Sequence, residues 1–295
     1  MLEHLNEKSA KPSRAVVIGA GGFVGGAIAS RLEHDGIDVL RITRGDVDLL
    51  APDATDRLHI LLRPGDTLVA AAALAPCKNA EMLRDNMILV TAIVRAAAAS
   101  PVAHVVNVSS DAVYTDEQSP LTETSSTAPG SLHGAMHLAR ELMFRSEIKA
   151  PLMTIRPSLL YGADDPHNGY GPNRFRRLVA KNEPITLFGE GEERRDHVLI
   201  DDLAELTARI VLRRSVGTLN IATGAVESFR NIAEMIIRLG GKATPILSSV
   251  RSGPMPHNGH RPFDATATRN AYPEFTYTSL GVGLAKVQQI ITARA

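Results

Sequence analysis

The sequence predicts an α/β fold in which a doubly wound parallel sheet carries a smaller C-terminal lobe that binds the substrate. Three observations predict it. Short apolar runs alternate with longer amphipathic runs, a glycine-rich turn follows the first apolar run, and long Gly/Pro-rich loops appear after Tyr161. Strand–helix alternation at this spacing is typical of a parallel sheet with right-handed crossovers and helices on both faces.

The predicted elements alternate regularly up to Ser158. The strands are short apolar runs, as expected when both faces of a sheet are covered, and the helices are longer runs with apolar residues every three or four positions. In chain order, RAVVIGA precedes the helix GGFVGGAIASRLEHDG, DVLRIT precedes ATDRLHILLR, DTLVAAAA precedes NAEMLRDNMILVTAIVRAAAAS, and AHVVNVSS precedes SLHGAMHLARELMFRSE, before the strand LMTIRPS.

The alternation is less regular after Tyr161. The loop GADDPHNGYGPN leads to the helix RFRRLVAKN, and the helix ESFRNIAEMIIRLGG and the Pro/Gly-rich stretch SGPMPHNGHRPFD come later. Long loops outside a doubly wound sheet usually bind ligands. We therefore predict a flexible tail over residues 1–12, a sheet domain over 13–165 and a substrate-binding lobe over 166–295, with a segment near 195–225 returning to the sheet.

Composition excludes several classes of function. The 295 residues contain 32 Lys+Arg and 32 Asp+Glu, so we expect no nucleic-acid or membrane-surface partner. No run of about 18 apolar residues suggests a membrane span, and the polar first twelve residues do not resemble a signal peptide. The single cysteine, Cys77, excludes an internal disulfide and favours a cytoplasmic location.

A glycine-rich turn predicts a dinucleotide site. Gly19, Gly22 and Gly25 form a G-x-x-G-x-x-G pattern directly after a strand and at the start of a helix. Glycines there allow a tight turn and a close approach of the backbone to a pyrophosphate, and a helix N-terminus offers free N–H groups. We expect Phe23 and Val24 to contact the cofactor with these glycines; the alternative is a purely structural turn.

The end of the second strand favours NADP over NAD. An acidic residue is expected there for NAD, where it binds the ribose 2′-OH, but the chain has Thr43 followed by Arg44. A hydroxyl and a guanidinium suit a 2′-phosphate. In the alternative, Arg44 is solvated and Asp46 or Asp48 binds the ribose; Asp48 and Leu49 are also placed to lie near the adenine.

Several motifs occur together in a recognisable order. They are VSSDAVY, IRPSLLYG, LFGEGEERRDHVLIDDLA, GTLNIATG and RPFD, after the glycine turn and DNMILVTAIVRAAA. With them the chain resembles the extended short-chain dehydrogenase/reductase family of nucleotide-sugar epimerases, dehydratases and reductases, from about Ala15 nearly to the C-terminus. The resemblance implies a Rossmann domain, an NAD(P) cofactor also contacted by Ala71, Ala72 and Pro157, and a nucleotide-sugar substrate.

The resemblance assigns three catalytic positions. In that family a Ser or Thr polarises the substrate oxygen, which corresponds to Ser110. A tyrosine then exchanges the proton, and a lysine four residues later binds the nicotinamide ribose, in a pattern Y-G-x-S-K-L-x-x-E. This sequence has HGAMHLARE, so His133 and His137 occupy those two positions.

Three hypotheses explain the two histidines. In the first, His133 is the acid/base, because imidazole titrates near neutrality, with His137 at the ribose and Tyr161 or His167 assisting from the substrate side. In the second, the protein binds a dinucleotide or nucleotide sugar without redox chemistry. In the third, His133, His137 and Glu141 lie on one helical face and hold a metal.

The resemblance also implies substrate contacts. Asn173, Arg195 and Arg261 match residues that hold the nucleotide diphosphate, since guanidinium groups bind its oxygens bidentately; Asp111 and Tyr161 are expected to contact the substrate too. The alternative for the arginines is ion pairing with their sequence neighbours Asp196 and Asp264.

Three other histidines are less informative, although His257 and His260 lie close enough to Arg261 in sequence to approach the diphosphate. His104 precedes a strand and is expected at the surface, and His257 and His260 are expected in a solvated loop.

The prediction is therefore an NADP-dependent enzyme that reduces, oxidises or epimerises a sugar carbon of a nucleotide-activated sugar. Members of the family commonly pair through two long helices, here Ala80–Ala99 and Leu132–Arg145, whose apolar, alanine-rich faces suit such pairing. We therefore expect a homodimer.

Overall fold

The computed structural model describes residues 2–294. Its strands are β1 (Glu3–His4), β2 (Ala15–Ile18), β3 (Val39–Ile42), β4 (Thr67–Ala70), β5 (His104–Val108), β6 (Leu152–Pro157), β7 (Leu159–Tyr161), β8 (Ile185–Phe188), β9 (Arg194–Leu199), β10 (Ser215–Ile221), β11 (Val226–Ser228), β12 (Ile246–Ser249) and β13 (His260–Arg261). Its helices are α1 (Phe23–His34), α2 (Ala54–Leu61), α3 (Ala80–Ala99), α4 (Leu132–Glu147), α5 (Pro172–Lys181), α6 (Ile200–Arg213), α7 (Phe229–Gly240), α8 (Thr266–Ala271) and α9 (Leu280–Thr292).

The main sheet has seven strands in the order β1-β10-β6-β5-β4-β2-β3, and every pairing except β1 with β10 is parallel. The four residues of β2 and of β4 are fully buried, because helices cover both faces. The strand order reverses between β2 and its neighbours β3 and β4. Ligands of open α/β sheets bind at the carboxyl ends of the strands at such a reversal.

A second set of strands follows β6. β9 pairs with β7, β11 and β13, and β8 pairs with β12. A separate hydrophobic cluster, which includes Phe175, Phe229 and Leu284, lies beneath these elements. The chain returns to the main sheet through β10, whereas β9, which precedes it, belongs to the second set.

The N-terminal segment is an edge strand, and the prediction of a flexible tail over residues 1–12 is wrong for the described part from Glu3 to Ala10. β1 pairs antiparallel with β10, and Ala10 N donates to Leu212 O at 2.9 Å. His4 bonds Ser215 Oγ at 2.8 Å and Ala271 O at 3.0 Å through its two ring nitrogens. These contacts are more than 200 residues apart in sequence, so no local pattern predicts them.

His104 is buried in β5, where a surface position was expected. Its Nε2 lies 2.7 Å from the Ser215 carbonyl of β10. Burial lowers its pKa to about 4, so the ring is neutral at physiological pH. No helix within residues 2–294 is both long and apolar enough to cross a membrane.

Candidate active site

A cleft of about 440 Å³ lies at the reversal of the strand order. The loops after β2, β3 and β4 form its walls, as the glycine pattern predicts. Eight of the predicted cofactor residues line it: Gly19, Gly22, Thr43, Arg44, Asp48, Leu49, Ala71 and Ala72.

The glycines of the turn permit contacts that a side chain would block. Gly19 has φ +90°, and a Cβ there would lie 2.7 Å from Ala72 N. A Cβ on Gly25 would lie 2.2 Å from Gly19 O, so α1 can pack this closely on the turn only with glycine. α1 begins after Gly22 without a side-chain cap, which leaves first-turn N–H groups for an anion. These residues fit the pyrophosphate of a dinucleotide.

Four further cofactor residues lie beside the cleft rather than in its wall. Phe23 packs against Gly162, where a Cβ would lie 3.0 Å from the phenyl Cζ. Val24 and Gly25 follow in the first turn of α1. Pro157 is buried at the carboxyl end of β6, on the edge of the sheet that carries the cleft.

In the turn after β3, Thr43 binds the carboxylate of Asp46. The backbone N and hydroxyl of Thr43 donate to Asp46 Oδ2 at 2.8 and 2.7 Å, and these bonds lower the pKa of Asp46. Arg44 is 80% exposed, with its guanidinium 3.5 Å from the carboxylate of Asp48. One oxygen of Asp46 is thus committed to the turn, and a guanidinium stands at the cleft wall.

Ser110 and His133 lie on two elements that touch. The Ser110 hydroxyl accepts from Ala112 N at 3.2 Å and caps a short 3-10 turn, Asp111–Val113. A Cβ on Gly134 would lie 2.1 Å from Ala112 O, so the first turn of α4 packs directly on this turn because residue 134 is glycine. His133 therefore stands next to the turn that carries Ser110.

The hydrogen bond to His133 fixes which ring nitrogen is free. Cys77 N donates to His133 Nδ1 at 3.4 Å, so Nδ1 acts as the acceptor and a neutral ring carries its proton on Nε2. Burial lowers the pKa of His133, and the charge of Asp111 opposes this only in part. The ring is thus neutral at physiological pH.

His137 packs behind this ring as its edge-to-face neighbour, with ring centroids 4.7 Å apart at 88°. It is 6% exposed, and its Nδ1 is buried without a hydrogen-bond partner in residues 2–294. Burial, with the neighbouring His133 and Arg140, lowers the pKa of His137 well below its ordinary value.

Arg140 is a site residue that the sequence analysis missed. It is completely buried, and its guanidinium donates to Asn107 Oδ1, Ala72 O and Ala70 O at 2.6, 2.8 and 2.7 Å. The available signal was its position three residues after His137, on the helical face that leads to the buried Phe144.

Glu141, the third ligand of the metal hypothesis, is already bound by other side chains. Glu141 is buried and accepts from Ser109 Oγ at 2.5 Å and from Arg156 Nε and Nη2 at 2.9 and 2.7 Å. Within residues 2–294, no group of three or more His, Cys, Asp or Glu residues has the arrangement of a metal site. In the described part of the chain, His133 and His137 therefore have no third ligand beside them.

The two arginines predicted for the diphosphate bind protein carboxylates. Arg195 pairs with Glu193, which also lies 3.3 Å from Arg251. Arg261 bonds Asp111 Oδ2 at 3.1 Å and Asp111 O at 2.8 Å and also pairs with Asp116.

The predicted alternative partners of these arginines are wrong. Asp196 accepts from Ser158 and Thr223, and Asp264 lies 3.7 Å from Arg269.

The loop around Arg261 also includes His257. His257 is half-buried, and its Nδ1 lies 2.5 Å from Asp116 and 2.8 Å from Arg261 Nη1, so it is not the solvated residue that was expected. His260 is exposed in β13, as expected. Asp111 thus joins the turn after Ser110 to this charged cluster.

Tyr161 does not fit its predicted substrate role. It is 1% exposed and packs in the cluster of the second lobe against α9, where its hydroxyl is buried without a partner in residues 2–294. The apolar sequence around it favours this packing.

Asn173 and His167 tie the loop before α5 to its surroundings. Asn173 lies in the first turn of α5, where it bonds Asp165 Oδ2 at 2.5 Å and accepts from Gly162 N at 3.3 Å. His167 bonds Asp165 at 2.9 Å and reaches the Ala75 carbonyl at 3.1 Å. His167 thus connects this loop with the loop after β4.

Comparisons with known proteins agree with this architecture. Residues 15–222 match the profile of the NAD dependent epimerase/dehydratase family. The UDP-glucose 4-epimerase of Mycolicibacterium smegmatis is 26% identical over 309 residues, which cover 92% of this chain and 96% of that protein. The dTDP-4-dehydro-6-deoxy-D-allose reductase of Streptomyces bikiniensis is 24% identical over 77% of this chain and 81% of that protein.

The fold is also that of a solved relative. A GDP-L-fucose synthetase from Naegleria fowleri bound to NADP superposes with a TM-score of 0.86, at 15% identity, covering 99% of this chain and 97% of that chain. The profile match covers well over half of the sequence and includes all the strands and loops that build the cleft. The chain therefore belongs to the NAD dependent epimerase/dehydratase family.

Proposed function

We propose that the protein is an NADP-dependent oxidoreductase that acts on a nucleotide-activated sugar and works as a reductase of a keto sugar. His133 serves as the neutral hydrogen-bond donor that stabilises the developing negative charge, and Ser110 orients the reacting oxygen. The observation that carries the proposal is the hydrogen bond from Cys77 N to His133 Nδ1 beside the turn of Ser110. It leaves Nε2–H as the free donor of a neutral ring, which suits a carbonyl oxygen.

The residues of the chain then divide the work. NADPH, when bound, supplies the hydride. The glycine turn and the start of α1 hold the pyrophosphate, and the Ser110 hydroxyl with His133 Nε2–H holds the carbonyl oxygen. The Ser110 hydroxyl and the His133 Nε2–H would donate hydrogen bonds to this oxygen as negative charge develops on it, and solvent would supply the proton that completes the alcohol, so the ring stays neutral. A donor aimed at developing negative charge lowers the barrier to such a step.

Two features support the choice of cofactor and substrate. Arg44 stands exposed at the cleft wall while Asp46 accepts from Thr43, which favours a 2′-phosphate over a free 2′-OH. The relatives include a reductase named for a dTDP-sugar and an epimerase named for a UDP-sugar, which supports a nucleotide-sugar substrate. The cytoplasmic location remains a prediction from the single cysteine.

A thermal-shift panel with NADP, NADPH, NAD, NADH and UDP-, GDP- and dTDP-sugars tests the proposal first. A ligand that binds only the folded state adds about 2.7 kcal/mol at a hundredfold excess over Kd. We expect a shift with NADPH and with one nucleotide class, followed by NADPH consumption with the matching 4-keto sugar. Turnover should be lost in His133→Ala. The absence of a shift with every dinucleotide would refute hydride transfer.

One observation favours a second candidate, a redox-silent protein that binds a dinucleotide or nucleotide sugar. His137 occupies the position of the lysine and is buried with its pKa well below the ordinary value, so it cannot supply the positive charge of that lysine. This candidate predicts ligand stabilisation without turnover, and stabilisation that His133→Ala leaves unchanged.

A further inference from the structure

The histidine pair stands in front of a buried positive charge. Arg140 lies one turn after His137 on α4, and its guanidinium carbon lies 5.2 Å from the centre of the Phe144 ring. Burial lowers the pKa of Arg140 to about 10, so the group is still charged at neutral pH. Full burial of an arginine is rare unless a carboxylate pairs with it.

No carboxylate pairs with this charge among residues 2–294. All three acceptors are neutral: the side-chain oxygen of Asn107 and the carbonyls of Ala70 and Ala72. Arg156 in β6 is also buried, and it shows the usual arrangement because it is paired with Glu141 of α4 at 2.7 Å. An unpaired buried charge costs stability, so its presence calls for a role beyond packing.

The acceptors of Arg140 define that role. Ala70 ends β4, and Ala72 lines the cofactor cleft and faces Gly19 of the glycine turn. The planar guanidinium can bond several carbonyls at fixed angles, which a flexible ammonium cannot do. Arg140 therefore holds the segment from Ala70 to Ala72, which forms part of the cleft wall, in a fixed position relative to the glycine turn.

We propose that Arg140 is a positioning residue of the active site, which fixes the end of β4 at the cofactor cleft and places a permanent positive charge behind His133 and His137. The inference rests on the proposed function only where it concerns NADPH binding.

The charge acts on His137 directly and on His133 only through its ring contact with His137. The charged groups that act on the pair are Asp111 from the 3-10 turn, on His133, and Arg140 from α4 itself, on His137. The guanidinium opposes protonation of His137, and a neutral His137 in turn allows His133 to keep Nδ1 as an acceptor. The positive charge thus helps to hold the donor geometry of the proposed reductase.

The test compares Arg140→Met, which removes the charge, with Arg140→Lys, which keeps the charge and loses the three-way bonding. Arg145→Met is the matched control, since Arg145 is on the same helix, 60% exposed and 3.7 Å from Glu141. Two quantities are measured: the Kd for NADPH by its fluorescence, and the histidine titrations by NMR in the free protein, assigned with His133→Gln and His137→Gln.

We expect the Kd to rise at least about tenfold in both Arg140 variants, and the pKa of His137 to rise by about one unit, a tenfold shift in protonation, in Arg140→Met alone. If Arg140→Met does not fold, the Kd of Arg140→Lys decides the positioning role. Values equal to those of Arg145→Met in both measurements overturn the proposal. If the unmodified protein binds no NADPH, the proposed function fails, and the titration alone still decides the role of the charge.

Discussion

At the scale of single residues, the site is defined by which polar atoms are already engaged. His133 has Nδ1 engaged by Cys77 N, Asp46 has one oxygen engaged by Thr43, and Glu141 is fully engaged by Arg156 and Ser109. Each hydrogen bond bears on an alternative that the sequence leaves open. The bond to His133 favours a role as hydrogen-bond donor over a role as base, the bonds to Asp46 favour NADP over NAD, and the bonds to Glu141 argue against a metal site.

The pH dependence of turnover follows from the environment of His133. Burial lowers its pKa from the ordinary 6.5, so the ring is neutral above pH 6.5. Below that pH, a second proton on Nδ1 would face Cys77 N–H and displace the ring. We expect the reduction rate to be flat above pH 6.5 and to fall as pH drops through the lowered pKa, measured under saturating NADPH.

The counterpart experiment uses a donor that does not titrate. His133→Gln should show a low rate without this acid limb. A rate in the unmodified protein that declines steadily as pH rises above 6.5 would instead identify the imidazolium as the donor, contrary to the geometry described here.

Arg44 should decide the preference between the two dinucleotides. A charge-assisted bond to a 2′-phosphate contributes about 1.5–3 kcal/mol, so Arg44→Ala should weaken NADP binding about 10- to 150-fold and leave NAD binding almost unchanged, as measured by calorimetry. Arg84→Ala is the control, because Arg84 is exposed and paired with the adjacent Asp85. Equal losses for NADP and NAD would contradict the assignment.

At the scale of elements, the sequence predicted those strands and helices whose formation depends on residues close together in the chain. The strands from β2 to β6 and the helices between them were predicted because burial on both sheet faces and helical periodicity leave a signature in consecutive residues. β1 was missed because only two residues pair, with a strand more than 200 positions away. The partners of Arg195 and Arg261 were missed for a related reason, since loop conformation decides which carboxylate is near.

The junction between β2 and α1 offers a stringent test of the glycine pattern. In Gly25→Ala the new Cβ would lie 2.2 Å from Gly19 O, so the turn must shift. We expect loss of the thermal shift with NADPH and a lower Tm. Gly281→Ala in α9 is the control, because no atom lies within 4 Å of its Cβ and alanine favours a helix. An unaltered NADPH shift in Gly25→Ala would show that the turn does not shape the site.

At the scale of the whole molecule, the paired helices α3 and α4 offer a surface for a second copy. They pack against each other, and each leaves large apolar side chains exposed: Ile88 on α3, and Leu132 and Leu142 on α4, are 44%, 41% and 51% exposed. We expect a homodimer by light scattering, and a monomer for the double variant Ile88→Asp/Leu142→Asp.

A matched surface change separates pairing from a general loss of solubility. Ile60 on α2 is 79% exposed and lies on another helix, so Ile60→Asp should leave the mass of the dimer unchanged. A monomeric mass for the unmodified protein would refute the predicted pairing.

Two buried histidines in different sheets, His104 in β5 and His197 in β9, make the folded state sensitive to acid. Burial lowers the pKa of each to about 4, against 6.5 in an unfolded chain. The unfolded state therefore takes up protons first as pH falls, and the stability that is fully present above pH 6.5 is lost progressively down to about pH 4. Each ring can account for about 3 kcal/mol of that loss. Urea unfolding at pH 7.5 and pH 5 should show the loss, and mildly acidic buffers should be avoided when the protein is purified and stored.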